Sequence, residues 1–401
     1  MYHLRVMDLS DPERARAELE RIGADPAGVA RMIDKAGFLA IRVEGLRAPA
    51  ANILKQEMLS LGADAAVARG VVNGSTDRSD ALVLGTRKQV RRLVRKLRPQ
   101  PFGLKVLAAE LRDLLAREEP REFRWHGGVL RLDGRPLVMG ILNVTPDSFS
   151  DGGDYFDREA ALDRALQMVE EGADLLDVGG ESTRPGAPPV PLEEEERRVV
   201  PVIEHLAHRV GVPMSVDTYK AAVARRAVGA GAALVNDVSG LRMDPAMAGV
   251  VADLGAGLVV MHMRGDPRTM QSDTRYSDLV GEIFRALEES VDRAVEAGVA
   301  RDRVWVDPGI GFGKSAEQNL VLLRRLAEFR SLGCPVLVGA SRKSFIGRTL
   351  GIEDPKDRLE GSLAAAVVAV WNGARILRVH DVRATRRAAD LAWAAGRVTE
   401  E

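Results

Sequence analysis

Eight short apolar runs follow one another at similar intervals from Pro136 to the C-terminal part of this 401-residue chain. Each run is rich in β-branched residues, and a longer helix-compatible stretch, such as 158–172, 193–210 or 316–329, separates it from the next. Continuously apolar strands are typical of a parallel sheet buried on both faces, and eight strand–helix units in series predict a closed (β/α)8 TIM barrel. The runs span 137–142, 175–178, 213–216, 233–238, 257–263, 304–310, 335–340 and 374–379.

An open doubly wound sheet is the alternative α/β fold. It needs fewer strand–helix units and usually has a glycine-rich first turn. The segment NVTPDSFSDGG at 143–153, which follows the first apolar run, does not resemble such a turn. The barrel is therefore favoured.

The chain is longer than a barrel requires, because a plain α/β barrel takes about 250 residues. Residues before the first run contain strand-like stretches of their own, including AAVARGVV at 65–72 and DALVLG at 80–85. We predict a smaller, separate α/β domain over residues 1–118 and the barrel domain over residues 119–401. A hairpin within FRWHGGVLRLDG (123–134) is expected to close the N-terminal end of the barrel.

Composition and charge limit the classes of partner. The formal net charge of −1 argues against a nucleic-acid or acidic-membrane surface as the main function. The stretch 86–98 carries seven Lys or Arg residues, a pattern that is most often a solvated helix face. The chain has no apolar run long enough to span a membrane and no signal-peptide pattern, so we expect a cytoplasmic location. The only cysteine, Cys334, precedes a buried strand and excludes an internal disulfide.

Polar residues follow the predicted strands at the points where barrels place their active sites, the C-terminal ends of the strands. Those from the first four strands are Asn143, Thr183, Arg184, Asp217 and Asn236. Those from the last four are Asp307, Ser341, Arg342, Lys343, Arg378 and His380, and the fifth strand contributes the apolar Met261.

One half of this set accepts hydrogen bonds. Asp217, Asn236 and Asp307 stand in otherwise apolar surroundings, and buried carboxylates are costly without hydrogen-bonded partners. They could pair internally with Lys343 or Arg342. Three such groups at one barrel mouth favour a ligand rich in N–H donors, with a flat edge like that of a pterin or guanine.

The other half is cationic. Arg342, Lys343, Arg378 and His380 follow strands seven and eight, where barrels commonly hold phosphate. A surface salt bridge is a serious alternative for Arg342. Arg378 and His380 are two residues apart, so both point the same way from a strand. An anionic ligand or leaving group is therefore expected.

Seven motifs in order identify a family resemblance. The chain resembles dihydropteroate synthase from about Phe123 to its C-terminus, and residues 1–118 lie outside the resemblance. GIGFGKS at 309–315 is not a phosphate-binding loop, because Pro308 occupies the position of that motif's first glycine. The motifs are NVTPDSFSDGG (143–153), DVGGESTRPG (177–186), SVDT (215–218), NDVSG (236–240), DPGIGFGK (307–314), GASRKSFIG (339–347) and RVHDV (378–382).

The resemblance implies a transferase of folate biosynthesis that is a target of sulfonamides. Such enzymes condense 6-hydroxymethyl-7,8-dihydropterin diphosphate with 4-aminobenzoate, which gives 7,8-dihydropteroate and pyrophosphate. It also implies Mg²⁺ on the diphosphate, with Asn143 as a neutral oxygen ligand, and a homodimer. An aromatic amine needs no strong general base, and no Ser–His–Asp or Cys–His pairing is evident in the sequence.

The resemblance also assigns roles to residues. The leaving pyrophosphate is stabilised by Arg378 and His380, and the catalytic set is completed by Asn143 and Lys343. The first loop carries Asp147 and Phe149. The pterin is held by Asp217, Asn236, Asp307 and Lys343, with Met261 in the same substrate site. The aminobenzoate side is shaped by Thr183, Arg184, Pro185, Phe312 and Ser341.

Two other functions share parts of these patterns. A pterin-dependent methyltransferase barrel would need the pterin half of the site but not the cations of RVH and SRKS. A non-catalytic pterin-binding module would have lost its leaving-group residues, whereas Arg378 and His380 are both present. The sequence therefore favours the synthase.

Overall fold

The computed structural model describes residues 5, 7, 9, 11–125, 127–144, 153–182, 188–266 and 269–398, and only the backbone of 153–158. The chain divides into two compact units, residues 1–117 and residues 118–398. Within the described ranges, no helix is both long enough and apolar enough to cross a membrane.

The N-terminal unit is a small α/β structure. Its elements are α1 (Pro12–Arg21), α2 (Pro26–Ala36), β1 (Phe38–Arg47), α3 (Ala48–Leu59), β2 (Asp64–Val67), α4 (Gly70–Asn73), β3 (Arg78–Thr86), α5 (Arg87–Leu97) and α6 (Leu104–Ala116). The strands form an antiparallel sheet in the order β1–β3–β2.

The core of this unit lies between the sheet and its helices, where Leu54, Val83 and Leu93 are fully buried. Helix α5 buries its apolar residues in this core and leaves most of its basic side chains at the surface. The predicted strand at 65–72 is wrong in its second half, because residues 70–73 form a helical turn instead.

The second unit contains a β-hairpin and eight strand–helix units. Its elements are β4 (Glu122–Trp125), β5 (Gly128–Arg131), β6 (Leu137–Asn143), α7 (Gly153–Glu170), β7 (Leu175–Gly179), α8 (Leu192–Ala207), β8 (Met214–Asp217), α9 (Ala221–Gly229), β9 (Leu234–Asp237), α10 (Met247–Leu254), β10 (Gly257–Met261), α11 (Leu279–Glu296), β11 (Val304–Asp307), α12 (Ala316–Arg324), β12 (Leu337–Val338), α13 (Ser344–Leu350), α14 (Leu359–Trp371), β13 (Ile376–Val379) and α15 (Val382–Arg397). Short 3₁₀ helices lie at Arg301–Arg303, Leu326–Leu332 and Pro355–Asp357.

The strands β6 to β13 form one parallel sheet that closes on itself. Their order is β11–β10–β9–β8–β7–β6–β13–β12. A parallel bridge between Val306 and Val336 joins the two ends, and Val306 N donates to Pro335 O at 3.0 Å. The predicted barrel, preceded by a smaller α/β region, is therefore confirmed.

The β4–β5 hairpin closes the N-terminal end of the barrel, as predicted. Phe123 is 1% exposed and meets Trp305 edge to face, with 5.4 Å between the ring centroids. The two rings share an apolar cluster with Leu175, Leu234 and Ile376, which open three of the barrel strands. Gly257 makes this approach possible, because a Cβ there would lie 2.7 Å from the Phe123 ring.

Candidate active site

The apolar cluster around Phe123 and Trp305 is called the apolar floor of the barrel below. The candidate site begins two residues further along the same strands. Residues i and i+2 of a strand share a face and lie about 6.6 Å apart along it. On β7, β9 and β11 this step leads from Leu175 to Asp177, from Leu234 to Asn236 and from Trp305 to Asp307. On β13 it leads from Ile376 to Arg378. The interior of the barrel therefore changes from apolar to charged within one step.

Arg378 lies between two buried carboxylates at the centre of the site. Its Nε donates to Asp177 Oδ2 at 2.5 Å, and its Nη2 donates to Asp217 Oδ2 at 2.6 Å. Asp177 also accepts from the Ser215 hydroxyl and from Asn236 Nδ2. Burial alone would lower the pKa of Arg378, but the two carboxylates raise it above its usual value. The guanidinium is thus a fixed cation in this network.

The two carboxylate oxygens of Asp217 differ in their hydrogen bonding. Its Oδ2 binds Arg378, while its Oδ1 is buried and has no hydrogen-bond partner among the described residues. Burial raises the pKa of Asp217 to about 7, although the charge of Arg378 acts in the opposite direction. A buried acceptor without a partner is costly, so Oδ1 is suited to an N–H donor from a ligand.

Asp307 and Lys343 form the neighbouring part of the site. Asp307 Oδ1 accepts from the backbone N–H of Gly309 at 2.7 Å. Burial raises the pKa of Asp307, and the charge of Lys343 partly offsets this effect. Lys343 Nζ donates to the carbonyl of Ile310 and lies 4.4 Å from the centroid of the Phe312 ring. Burial lowers the pKa of Lys343 to about 8.

Ser341 and His380 are joined at the ends of strands seven and eight. Ser341 Oγ lies 3.1 Å from His380 Nδ1 and accepts from the His380 backbone N–H at 3.3 Å. Since Oγ already accepts one hydrogen bond, it can donate its proton to Nδ1 and leave the ring proton on Nε2. The sequence shows no Ser–His–Asp pairing, and it does not indicate this Ser–His pair, whose residues are 39 positions apart and meet because they follow adjacent strands.

An apolar cluster forms one side of the site. Met261 and Phe312 are buried together with Val238, Met263 and Met270. Met261 pairs in register with Asp307, which places this cluster beside the carboxylate. The arrangement is suited to a flat ring that needs apolar contact on its face and hydrogen bonds along its edge.

Asn143 ends β6, pairs in register with Gly179 and is half-buried. No group of three or more His, Cys, Asp or Glu side chains that could hold a metal ion occurs in the described part of the chain. The predicted loop residues Asp147, Phe149, Thr183, Arg184 and Pro185 lie outside the described residues.

The structure changes the predicted division of the site into acceptors and cations. Arg378 lies with the carboxylates, so the internal partner of Asp217 is Arg378 rather than Lys343 or Arg342. Arg342 instead pairs with Asp381, with Nε 2.9 Å from Oδ2. Its salt bridge was the alternative reading, and it is the arrangement found.

Asp177 and Ser215 were missed by the reasoning from sequence. Asp177 lies inside the apolar run LLDV, and an aspartate within a buried strand needs a partner. The position of Asp177 in this run could therefore have marked it as a candidate. The partner of Asp177 could not be predicted from the sequence, because Arg378 is 201 positions away and approaches only when the barrel closes.

The barrel unit is similar to known proteins. Residues 139–380 match the family described as pterin binding enzyme. A dihydropteroate synthase of Synechocystis is 49% identical over 262 residues, which are 65% of this chain and 91% of that protein. A solved dihydropteroate synthase of Xanthomonas albilineans with 4-aminobenzoic acid has a TM-score of 0.66 and 50% identity, and the match covers 70% of this chain and 100% of that chain.

The N-terminal unit lies outside the matched family region, but it has relatives of its own. A probable bifunctional folylpolyglutamate synthase/dihydropteroate synthase of Halobacterium salinarum is 43% identical over 378 residues. The match covers 94% of this chain and 45% of that protein, so it reaches into residues 1–117.

The chain belongs to the family of pterin-binding enzymes. Within that family its barrel is similar to dihydropteroate synthases, which are transferases of folate biosynthesis.

Proposed function

We propose that this site joins 6-hydroxymethyl-7,8-dihydropterin diphosphate to 4-aminobenzoate and releases pyrophosphate and 7,8-dihydropteroate. The observation that supports this most strongly is the buried Oδ1 of Asp217, which has no hydrogen-bond partner among the described residues. A pterin carries an amino group and a ring N–H on one edge, which match such acceptors.

The pterin is held by Asp217, Asn236, Asp307 and Lys343. Asn236 donates through Nδ2 to Asp177, so its Oδ1 is left to accept from the ligand. Arg378 fixes Asp217 through Oδ2 and thereby directs Oδ1 toward the pterin. Met261 supplies apolar contact at the face of the ring.

The diphosphate is bound by His380 and by Arg378. Arg378 uses Nε and Nη2 for the two carboxylates, and its Nη1 has no acceptor among the described residues. His380 is oriented by Ser341 so that Nε2 can donate to a phosphate oxygen. These donors stabilise the charge that grows on the leaving pyrophosphate as the C–O bond breaks.

A magnesium ion carried by the diphosphate fits these residues. Asn143 offers one neutral oxygen, and Mg²⁺ typically takes its other ligands from phosphate and water rather than from a protein cage. When bound, the ion would neutralise negative charge on the diphosphate.

The amine of 4-aminobenzoate forms the new C–N bond at the methylene carbon. It is uncharged at neutral pH, so its lone pair needs no strong base, and its proton leaves to solvent or to pyrophosphate. Phe312 and Ser341 border this side of the site. Thr183, Arg184 and Pro185 of the second loop, with Asp147 and Phe149 of the first, are proposed to complete it.

Steady-state formation of dihydropteroate, measured with and without a sulfonamide, tests this function. The sulfonamide imitates 4-aminobenzoate, so we expect inhibition that rising aminobenzoate overcomes. Inhibition that does not respond to aminobenzoate would indicate a different second substrate.

A homodimer is proposed through the face formed by α14 and α15. Trp371 is 68% exposed and Leu391 is 73% exposed, with Val368 one turn away from Trp371. Trp371 Nε1 donates to Ala392 O at 3.1 Å, which joins the two helices into one apolar patch. Light scattering of the parent and of Trp371→Glu tests this, since the variant should be monomeric. A cytoplasmic location stays a prediction.

A further inference from the structure

Lys314 is a buried lysine that the proposed reaction does not use. It ends the segment DPGIGFGK and is 2% exposed. Its Nζ donates to the carbonyls of Gly309 at 2.9 Å, Phe312 at 2.8 Å and His262 at 3.4 Å, and it lies 3.1 Å from His262 Nδ1. Four polar atoms of the protein therefore surround one nitrogen.

The two shortest contacts, to the carbonyls of Gly309 and Phe312, can form in either protonation state of the lysine. An ammonium has a third N–H for His262, whereas an amine can accept a hydrogen bond from Nδ1 of that residue. Burial lowers the pKa of Lys314 well below its usual value and that of His262 to about 2. Because its donors are used within the protein, Lys314 has little capacity to bind phosphate as a phosphate-loop lysine does.

The partners of Lys314 come from two different elements. Gly309 and Phe312 belong to the loop between β11 and α12, and His262 follows β10. The loop lies directly against the end of β10, because a Cβ at Gly309, whose φ is +71°, would lie 1.9 Å from His262 O. Lys314 thus links the loop between β11 and α12 to the residue that follows β10 through its hydrogen bonds.

The loop between β11 and α12 also contacts Lys343. The Ile310 carbonyl accepts from Lys343 Nζ, and the Phe312 ring lies 4.4 Å from it. At Gly311, between these two residues, an added Cβ would lie 2.8 Å from Lys343 Cδ. The position of Lys343 therefore depends on the shape of this loop.

We propose that Lys314 is a positioning residue for Lys343, acting through the loop carbonyls and the Phe312 ring. The inference rests on the proposed role of Lys343 in holding the pterin. If Lys314 acts in this way, its loss should matter to pterin binding only while Lys343 is present.

A double-mutant cycle with Lys314→Met and Lys343→Met tests this dependence. Binding of the pterin diphosphate is measured by calorimetry without aminobenzoate. We expect Lys314→Met to weaken binding by about tenfold in the parent and to have almost no effect in the Lys343→Met background, since coupled residues are not additive.

A matched control separates positioning from loss of stability. Phe329 is fully buried in the main core of the barrel unit and has no place in the proposed site, so Phe329→Leu should lower stability without changing pterin affinity. If Lys314→Met does not fold, His262→Leu removes one partner of Lys314 and should give a smaller loss of affinity in the same direction. That loss should also vanish in the Lys343→Met background.

The outcomes distinguish the inference from the function beneath it. If Lys343→Met weakens pterin binding, but Lys314→Met costs the same in both backgrounds, the inference is overturned and the function stands. If Phe329→Leu loses as much affinity as Lys314→Met, the effect is general destabilisation and the inference is overturned. If Lys343→Met binds as tightly as the parent, the proposed role of Lys343 fails and the inference fails with it.

Discussion

At the N-terminal end of the barrel Phe123 meets Trp305 edge to face, whereas at the other end Arg378 lies between Asp177 and Asp217. Both groups are buried by the same eight strands. Burying a large apolar side chain stabilises the fold by about 1.5–3 kcal/mol, while taking each charge out of water costs several kcal/mol before pairing offsets it. Burial of the apolar floor therefore stabilises the fold, and this stabilisation offsets the free-energy cost of burying the charged groups of the site.

The largest expected effect follows from breaking the charged end. Arg378→Gln leaves two buried carboxylates without their cation, so we expect the free energy of unfolding to fall by about 3–5 kcal/mol. Turnover should fall on the order of 100- to 1000-fold, because a donor to the leaving group is lost. Chemical denaturation and steady-state kinetics measure the two effects.

Adding Asp177→Asn to that variant provides its control. Removing one uncompensated charge should recover part of the stability while turnover stays low. Recovery of turnover along with stability would show that Arg378 is structural only.

The next effect comes from breaking the apolar floor. Phe123→Ala should lower the free energy of unfolding by about 3–5 kcal/mol, because it leaves a cavity against Trp305. Turnover per folded molecule should not change, since the site begins one step further along the strands. Phe123→Leu is the matched control and should cost less than Phe123→Ala, because it leaves a smaller cavity. A fall in turnover at constant fold would contradict the separation of the two ends.

A smaller effect is expected from changing the carboxylate of Asp217, whose Oδ1 has no described hydrogen-bond partner. Asp217→Asn should weaken binding of the pterin diphosphate by about 1.5–3 kcal/mol, the value of a hydrogen bond to a charged group. Calorimetry measures it. Asp307→Asn should give a loss of similar size, and parent-like affinity in both variants would make the carboxylates structural.

The pH dependence of the same binding sharpens this prediction. Burial places the pKa of Asp217 at about 7, and pterin N–H donors favour the ionised form, so the pKa falls on binding and a proton is released. Affinity should therefore rise with pH up to about 7 and then level off. In Asp217→Asn this rise should be absent, and an unchanged rise would assign it to another group.

The smallest effect is expected from removing residues 1–117. Every described residue of the proposed site lies in the second unit, so the truncated chain should keep turnover within about tenfold, equivalent to ~1.4 kcal/mol. It should begin at Glu118, because Glu119 accepts from Arg330 Nε at 2.5 Å and from Arg375 Nε at 2.9 Å. Steady-state kinetics and thermal unfolding of this chain are compared with those of a chain that begins at Arg121 and therefore lacks Glu119.

The chain that begins at Arg121 should unfold at a lower temperature but keep its pterin affinity. A thousandfold loss in the folded chain that begins at Glu118 would mean that the N-terminal unit completes the site.

Much of the barrel could be predicted because its signals are local. Each predicted apolar run corresponds to one strand of the barrel. The strand ends were predicted less accurately: β12 covers only Leu337–Val338 of the run at 335–340, and the run at 304–310 ends as a strand at Asp307, because Pro308 and Gly309 turn the chain.

The contacts within the site could not be predicted in the same way. Arg378 was expected at a phosphate because barrels commonly hold phosphate after strands seven and eight, yet its position beside Asp177 depends on how strands distant in sequence become neighbours. The Ser341–His380 pair arises likewise, from two strands adjacent only in the closed sheet. Sequence spacing indicates which face a residue occupies, and closure of the barrel decides its partner.

The most direct test of the proposed site is pyrophosphate release by the full chain from the pterin diphosphate, with and without 4-aminobenzoate. We expect release that requires aminobenzoate and matches the dihydropteroate formed, and that is nearly lost in Arg378→Gln. Release that is independent of aminobenzoate, or no release from well-folded protein supplied with Mg²⁺, would contradict the assignment of the synthase reaction to the C-terminal end of this barrel.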